Sequence, residues 1–214
     1  MLLFRPVGRD ELRLIYEAGL KAFPPRLPEQ PIFYPVLTET YAQQIAREWN
    51  TVSHSKAGFV TRFEVDDGFA SRYDRHKVGG RDHVELWVPA EELAEFNRHI
   101  QQPIRITAAY FGQGYEGLVP TGFSLKGHDV RAQLRSLGGI LDHSGEDFAG
   151  EIAANHVAVF VNFPYWEQAG DQIQGLDGAL RERVLAEIQR IWKGCFPSVP
   201  LGVSGRWTDV QRSP

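Results

Sequence analysis

A chain of 214 residues, 43% hydrophobic and 23% charged, is long enough for one generous domain or for a domain with a smaller one attached. The net charge of -4 is spread along the chain, with 14 basic and 15 acidic residues in 1–114 and 9 and 12 in 115–214, so no basic stripe of the kind duplex nucleic acid needs is present. A single cysteine, Cys195, excludes an internal disulfide framework, and no run approaches about 18 uninterrupted apolar residues, which argues against a membrane span.

The opening stretch MLLFRPVGRDEL is too short in its apolar run for a signal peptide, so a cytoplasmic protein is expected. Leu2 to Val7 reads as a strand interrupted by Arg5. Asp10 to Ala18 reads as a helix with Leu12, Ile15 and Tyr16 on one face and Gly19 as its stop. Four prolines between Ala22 and Pro31 predict a stiff extended loop. Ile32 to Leu37 is a second strand, placed toward an edge by Pro35. Thr38 caps a helix running to Trp49, with Tyr41, Ala42, Ile45 and Trp49 as its apolar face. Phe59 to Val65 alternates as a strand, closed by Asp66-Asp67-Gly68, and a basic, polar loop follows from Ser71 to Asp82.

The stretch Arg81-Asp-His-Val-Glu-Leu-Trp-Val-Pro-Ala-Glu-Glu-Leu93 is a strand, His83 to Val88, entering a helix over 90–100. Alternation puts His83, Glu85 and Trp87 on one face, opposite Val84, Leu86 and Val88. A carboxylate in such a strand either faces water or serves a cleft, because burying it unpaired costs several kcal/mol. Trp49 and Trp87 read as core anchors. Pro103 to Phe111 forms a further strand, and Gly112, Gly114 and Gly117 mark a boundary that divides the chain into 1–111 and 112–214.

In the second part, Asp129 caps a helix carrying Val130, Leu134 and Leu137 and stopped at Gly138-Gly139, and Ser144 caps another. His156 to Phe163 is the most apolar run and reads as a central strand, which makes this part α/β. Asp177 caps a long helix carrying Leu180, Val184, Ile188 and Ile191, and the last dozen residues read as a tail. The acidic and histidine residues from His128 to His156 lack any recognised metal spacing, so no metal site is assigned; they are the centre of a weaker hydrolase reading.

Three segments in one order, LFRPVGRDELRLI, PIFYPVLTETYAQQIA and HVELWVPAEEL, resemble the ADP-ribosyltransferase superfamily, over about residues 1–111. The resemblance implies an α+β fold with a split β-sheet core and flanking helices, and NAD as the substrate that donates ADP-ribose. It implies that Arg5 contacts the dinucleotide, that Tyr34, with Thr38 or Tyr41 nearby, packs against nicotinamide, and that Glu85 is catalytic. Arg5 and Glu85 would then meet one bound dinucleotide from adjacent strands. The loop carrying Arg81 and His83 would meet the acceptor, a protein or nucleic acid, with water as the alternative. His83 departs from the Glu or Gln of many arginine-directed members, and no Ser-Thr-Ser triplet follows Tyr34. The competing expectation is an inactive module of the same fold, antitoxin-like or regulatory, that binds without turnover.

Overall fold

A computed structural model of the chain describes residues 1–143, 145–170 and 173–203. The chain is mixed α and β and divides into two compact units, one built on Met1–Gln113 and the other on Gly114–Gly202. Among the described residues no helix is long and apolar enough to cross a membrane.

The first unit is organised on a three-stranded antiparallel sheet of β1 (Leu2–Val7), β3 (Ala57–Glu64) and β7 (Arg105–Phe111), with β3 in the middle. Being central, β3 is buried on both faces over most of its length. The segment after β2 (Ile32–Phe33) extends the pairing. Phe4 and Val36 exchange backbone bonds at 2.9 and 2.8 Å, and the neighbours of Val36 bond across to β5 (Val84–Leu86) at 3.0 Å (Leu37 to Val84) and 2.9 Å (Leu86 to Pro35). β5 pairs in turn with β4 (Arg75–Lys77), a strand inside the stretch expected to be a loop. β6 (Val88–Pro89) pairs with β2. The predicted strands 32–37 and 83–88 are thus each broken into shorter pieces, the first around Pro35 and the second at Trp87.

Helix α1 (Arg9–Glu17) buries Leu12, Ile15 and Tyr16 as its spacing predicts, and Gly19 ends it with φ +70°, a conformation a side chain would strain. Helix α2 (Glu39–Ile45) begins at Thr38, whose hydroxyl accepts from Tyr41 N, and passes into a wider turn over Ala46–Asn50. Gly58 lets β3 approach that turn, since a Cβ there would lie 2.1 Å from Ala46 O. The wider turn changes the helical phase. Trp49 therefore leaves the core face and is 59% exposed, against expectation. A short α3 (Asp67–Ala70) replaces the expected turn, with Asp66 capping Phe69 N. After a tight turn over Ala90–Glu92, α4 (Leu93–Arg98) buries Leu93 and Phe96. Phe23, Phe33, Phe63 and Phe96 pack as a chain of aromatic rings on one side of the sheet, and Phe4, Val36, Tyr41, Ala42 and Val60 form the cluster on the other.

The second unit has no strand among its described residues, which corrects the α/β expectation for 112–214. It consists of α5 (Val130–His143), α6 (Gly145–Ala154), α7 (His156–Gln168) and α8 (Gly178–Cys195). The supposed central strand is the N-terminal part of α7, buried continuously from Ala158 to Trp166. An apolar run with no polar face suits a fully buried helix as well as a buried strand, so periodicity alone could not separate them. α5 continues through Gly138-Gly139; Gly138 admits Leu176 and Leu180 of the α8 region, where a Cβ would lie 2.9 Å from Leu176 Cδ1. Asp177 caps α8 by accepting from Leu180 N at 2.9 Å. The predicted cap at Ser144 and the tail over 204–214 lie outside the described residues.

Asn162 is fully buried in α7 and uses its whole bonding capacity. Its Oδ1 accepts from Leu118 N (2.8 Å) and Tyr115 OH (3.3 Å), and its Nδ2 donates to Leu118 O (2.9 Å) and Gln133 Oε1 (3.0 Å). Asn162→Leu strands those partners, so urea unfolding is expected to register a loss of about 2–3 kcal/mol.

Candidate functional site

Glu85 lies in the middle of β5, between Val36 on one side and His76 of β4 on the other. Residues directly opposite in a ladder project from the same face. Phe4, Val36 and Glu85 are such a row, so Glu85 projects on the face covered by α2. There its two oxygens are held separately: Tyr41 OH donates to Oε1 at 3.0 Å and Trp87 Nε1 donates to Oε2 at 3.3 Å. Both donors are neutral, and among the described residues no cation pairs with this carboxylate. Burial pushes the Tyr41 hydroxyl up to about 12, and the bond to Glu85 and its charge add to the effect, so Tyr41 stays a donor at neutral pH.

Around the carboxylate lies a cavity of about 430 Å³, lined by Arg5, Pro6, Tyr34, Val36, Ile45, Trp49, Glu85 and Trp87. That is within the about 300–1,000 Å³ of small-molecule sites. Its rim is aromatic. Tyr34 stands edge-on to Trp87 with ring centroids 5.9 Å apart, and His76 stacks on Trp87 at 4.0 Å. Trp87 and Trp49, expected in the core, are instead exposed at this opening. Trp87 could have been found from the alternation that puts it beside Glu85. Trp49 could not, because the wider turn that redirects it has no sequence signal of its own.

Arg5 is placed differently from its expected role. As the neighbour of Phe4 along β1, it projects from the opposite face to Glu85. Its guanidinium lies 4.7 Å from the centre of the Phe33 ring and is committed to α1. Nε donates to Glu11 Oε1 at 2.7 Å, NH2 to Glu11 Oε2 at 3.3 Å, and NH1 to Tyr34 O at 3.3 Å. Arg5 thus borders the cavity from behind while its charge is spent on Glu11. Arg5 and Glu85 line one cavity, but they come from opposite faces of the strands and the guanidinium itself is engaged by Glu11 and the Tyr34 carbonyl.

Of the remaining expected residues, Tyr34 lines the cavity and Tyr41 reaches it through Glu85. Thr38 does not line it; its hydroxyl caps α2 and donates to Asp82 O at 2.8 Å. His83 stacks on Tyr41 at 4.2 Å. Gly80 N donates to His83 Nδ1 at 3.2 Å, so Nε2 carries the proton toward Gln44 Oε1 at 3.0 Å. His83 therefore braces Tyr41 and the loop before β5, whereas Arg81 is exposed in that loop. In the second unit, His128 bonds Ser136, Asp129 caps α5, and His156 packs on Phe196. Among the described residues no group of three metal-donor side chains converges.

A tyrosine raised above its unfolded value of about 10 contributes stability that is complete below pH 10 and is lost as pH rises toward 12. The stability of the native chain against denaturant should fall across that window, and Tyr41→Phe should lose part of the pH dependence. Part of it should persist, because Tyr16 is also pushed up to about 12 by burial. An unchanged alkaline profile in Tyr41→Phe would show that Tyr41 does not hold its proton in this way. Set against protein-family models, curated proteins and solved structures, the chain finds no match.

Proposed function

We propose that the Glu85 cavity takes the nicotinamide–ribose end of NAD and that the chain is an ADP-ribosyltransferase-like enzyme, passing ADP-ribose to a protein or nucleic-acid acceptor or to water. The observation that carries this reading is a carboxylate held by two neutral donors, without an ion-pair partner among the described residues, inside an aromatic rim. Such a site favours a ligand that is positively charged or becomes so. The pyridinium ring of NAD is cationic and suits aromatic faces. When the nicotinamide–ribose bond breaks, its electron pair goes to the ring nitrogen and positive charge develops on the sugar. Water or the acceptor then adds to the sugar carbon and releases a proton. A carboxylate fixed beside that carbon stabilises the transition state more than the ground state.

The order β7–β3–β1, continued through Val36 to β5 and β4, brings Glu85 of β5 onto the face of the sheet that α2 covers, where this reading needs it. Arg5 has no place as a phosphate ligand here, because its fork is held by Glu11 behind the sheet. The reading rests on Glu85, Tyr41, Trp87 and Tyr34.

A binding module without turnover is favoured by one feature, the exposure of Trp49, Trp87 and Tyr34 at 59%, 40% and 37%. An aromatic rim with a carboxylate also receives a lysine or arginine side chain of a partner protein. Nicotinamide release separates the two. The native chain is expected to release nicotinamide from NAD, and Glu85→Gln, which keeps the shape and removes the charge, to do so on the order of a hundredfold more slowly while still binding the dinucleotide. No release by the native chain would leave the binding module; equal release by Glu85→Gln would remove Glu85 from the chemistry.

A further inference from the structure

Behind the sheet, on the face opposite Glu85, two guanidinium groups share one carboxylate. Arg5 takes both oxygens of Glu11 in hydrogen bonds, while Arg26 NH1 comes only to 3.8 Å from Oε1, beyond hydrogen-bond range. The Arg5 and Arg26 side chains are 9% and 11% exposed. Arg26 makes no hydrogen bond among the described residues, and its Nε is buried without an acceptor. A guanidinium carries five donors, and groups as buried as this are normally satisfied. Desolvation lowers the Arg26 pKa and the like charge of Arg5 lowers it further, against the opposing pull of Glu11 and Tyr34. The cluster thus has an unbalanced positive charge and unmet donors.

The segment that presents Arg26 is stiff. Pro24, Pro25 and Pro28 restrict it, and Phe23 anchors it through a reciprocal pair of bonds with Asn97, at 3.0 Å from Phe23 N to Oδ1 and 2.9 Å from Nδ2 to Phe23 O. A rigid, unsatisfied guanidinium loses little freedom when it meets a ligand.

We propose that Arg26, at the edge of the Arg5–Glu11 pair, is a binding site for a phosphate-bearing anion, with Arg26 itself supplying the donors because the Arg5 fork is already held by Glu11. A phosphate supplies the missing negative charge and accepts from the planar fork in bidentate fashion. Glu11 already neutralises one arginine, so the site calls for one further anionic group.

The test uses inorganic pyrophosphate, titrated by calorimetry and by melting temperature, with ionic strength held constant by potassium chloride. The native chain is expected to show saturable binding and a rise in melting temperature. Arg26→Gln is expected to weaken binding at least tenfold and, without ligand, to melt no lower than the native chain, because an unmatched buried cation has been removed. If Arg26→Gln does not fold, Arg26→Lys is read in its place: at least threefold weaker binding supports the site and unchanged affinity overturns it. No saturable binding by the native chain, equal affinity in Arg26→Gln, or the same thermal shift from potassium chloride alone overturns the proposal. Nicotinamide release from NAD is measured in parallel. Pyrophosphate binding without release upholds this site and ends the transferase reading, whereas release with unaltered pyrophosphate affinity in Arg26→Gln does the reverse.

Discussion

The Arg5–Glu11 ion pair is the constraint on which the geometry of the first unit depends. Arg5 sits on β1, Glu11 on the first turn of α1, and the third bond of the guanidinium goes to the Tyr34 carbonyl just past β2. One side chain therefore ties three separate pieces of chain. The pair is largely buried, with Phe33 against the guanidinium, so breaking it by removing one partner leaves an uncompensated charge and costs about 3–5 kcal/mol. Well-packed apolar residues could supply comparable stability, so what the pair adds is position. It holds the Tyr34 backbone against β1, and from there Val36 pairs with Phe4 on one side and Glu85 on the other.

That row explains why Glu85 is placed so closely without lying in a long strand. β5 is three residues long, but Leu37 and Leu86 bond across on either side of the Val36–Glu85 pair, and β4 pairs along the other edge. The carboxylate is then oriented by donors from two elements, Tyr41 on α2 and Trp87 after β5. Tyr41 is braced in turn by the His83 ring, whose two nitrogens are occupied by Gly80 and Gln44. Second contacts of this kind determine how firmly a functional group is held.

Much of the first unit was legible because its local signals agree with its packing. Leu12, Ile15 and Tyr16 at helical spacing, Thr38 as a cap, and the alternation that separates Glu85 from Leu86 and Val88 all describe what is found. What could not be read depends on pairing or phase. The face reached by Arg5 is set by the partner of its neighbour Phe4, and its commitment to Glu11 depends on how α1 lies on the sheet; neither is a property of the motif LFRPVG. Trp49 was misjudged because a wider turn has no sequence mark. In the second unit, His156 to Phe163 reads as a strand because it is the most apolar run, but a run apolar on every side fits a buried helix equally, and it is one. Gly138-Gly139 looked like a stop, yet the first of these glycines admits a neighbouring side chain within a continuous helix.

The two faces of the sheet differ in what each is missing, and that difference bears on which ligands each accepts. On the α2 face, Glu85 receives two hydrogen bonds but, among the described residues, no positive charge, so its surroundings favour a cation among aromatic rings. On the α1 face, Arg26 has, among the described residues, neither a hydrogen bond nor a carboxylate of its own, so its surroundings favour an anion. Without a ligand the Arg26 charge stands as a cost, whereas Glu85 is half-buried and held by two hydrogen bonds. A protein that keeps both on opposite faces, each beside a stiff or braced segment, has the arrangement expected when the compensating charge arrives from outside.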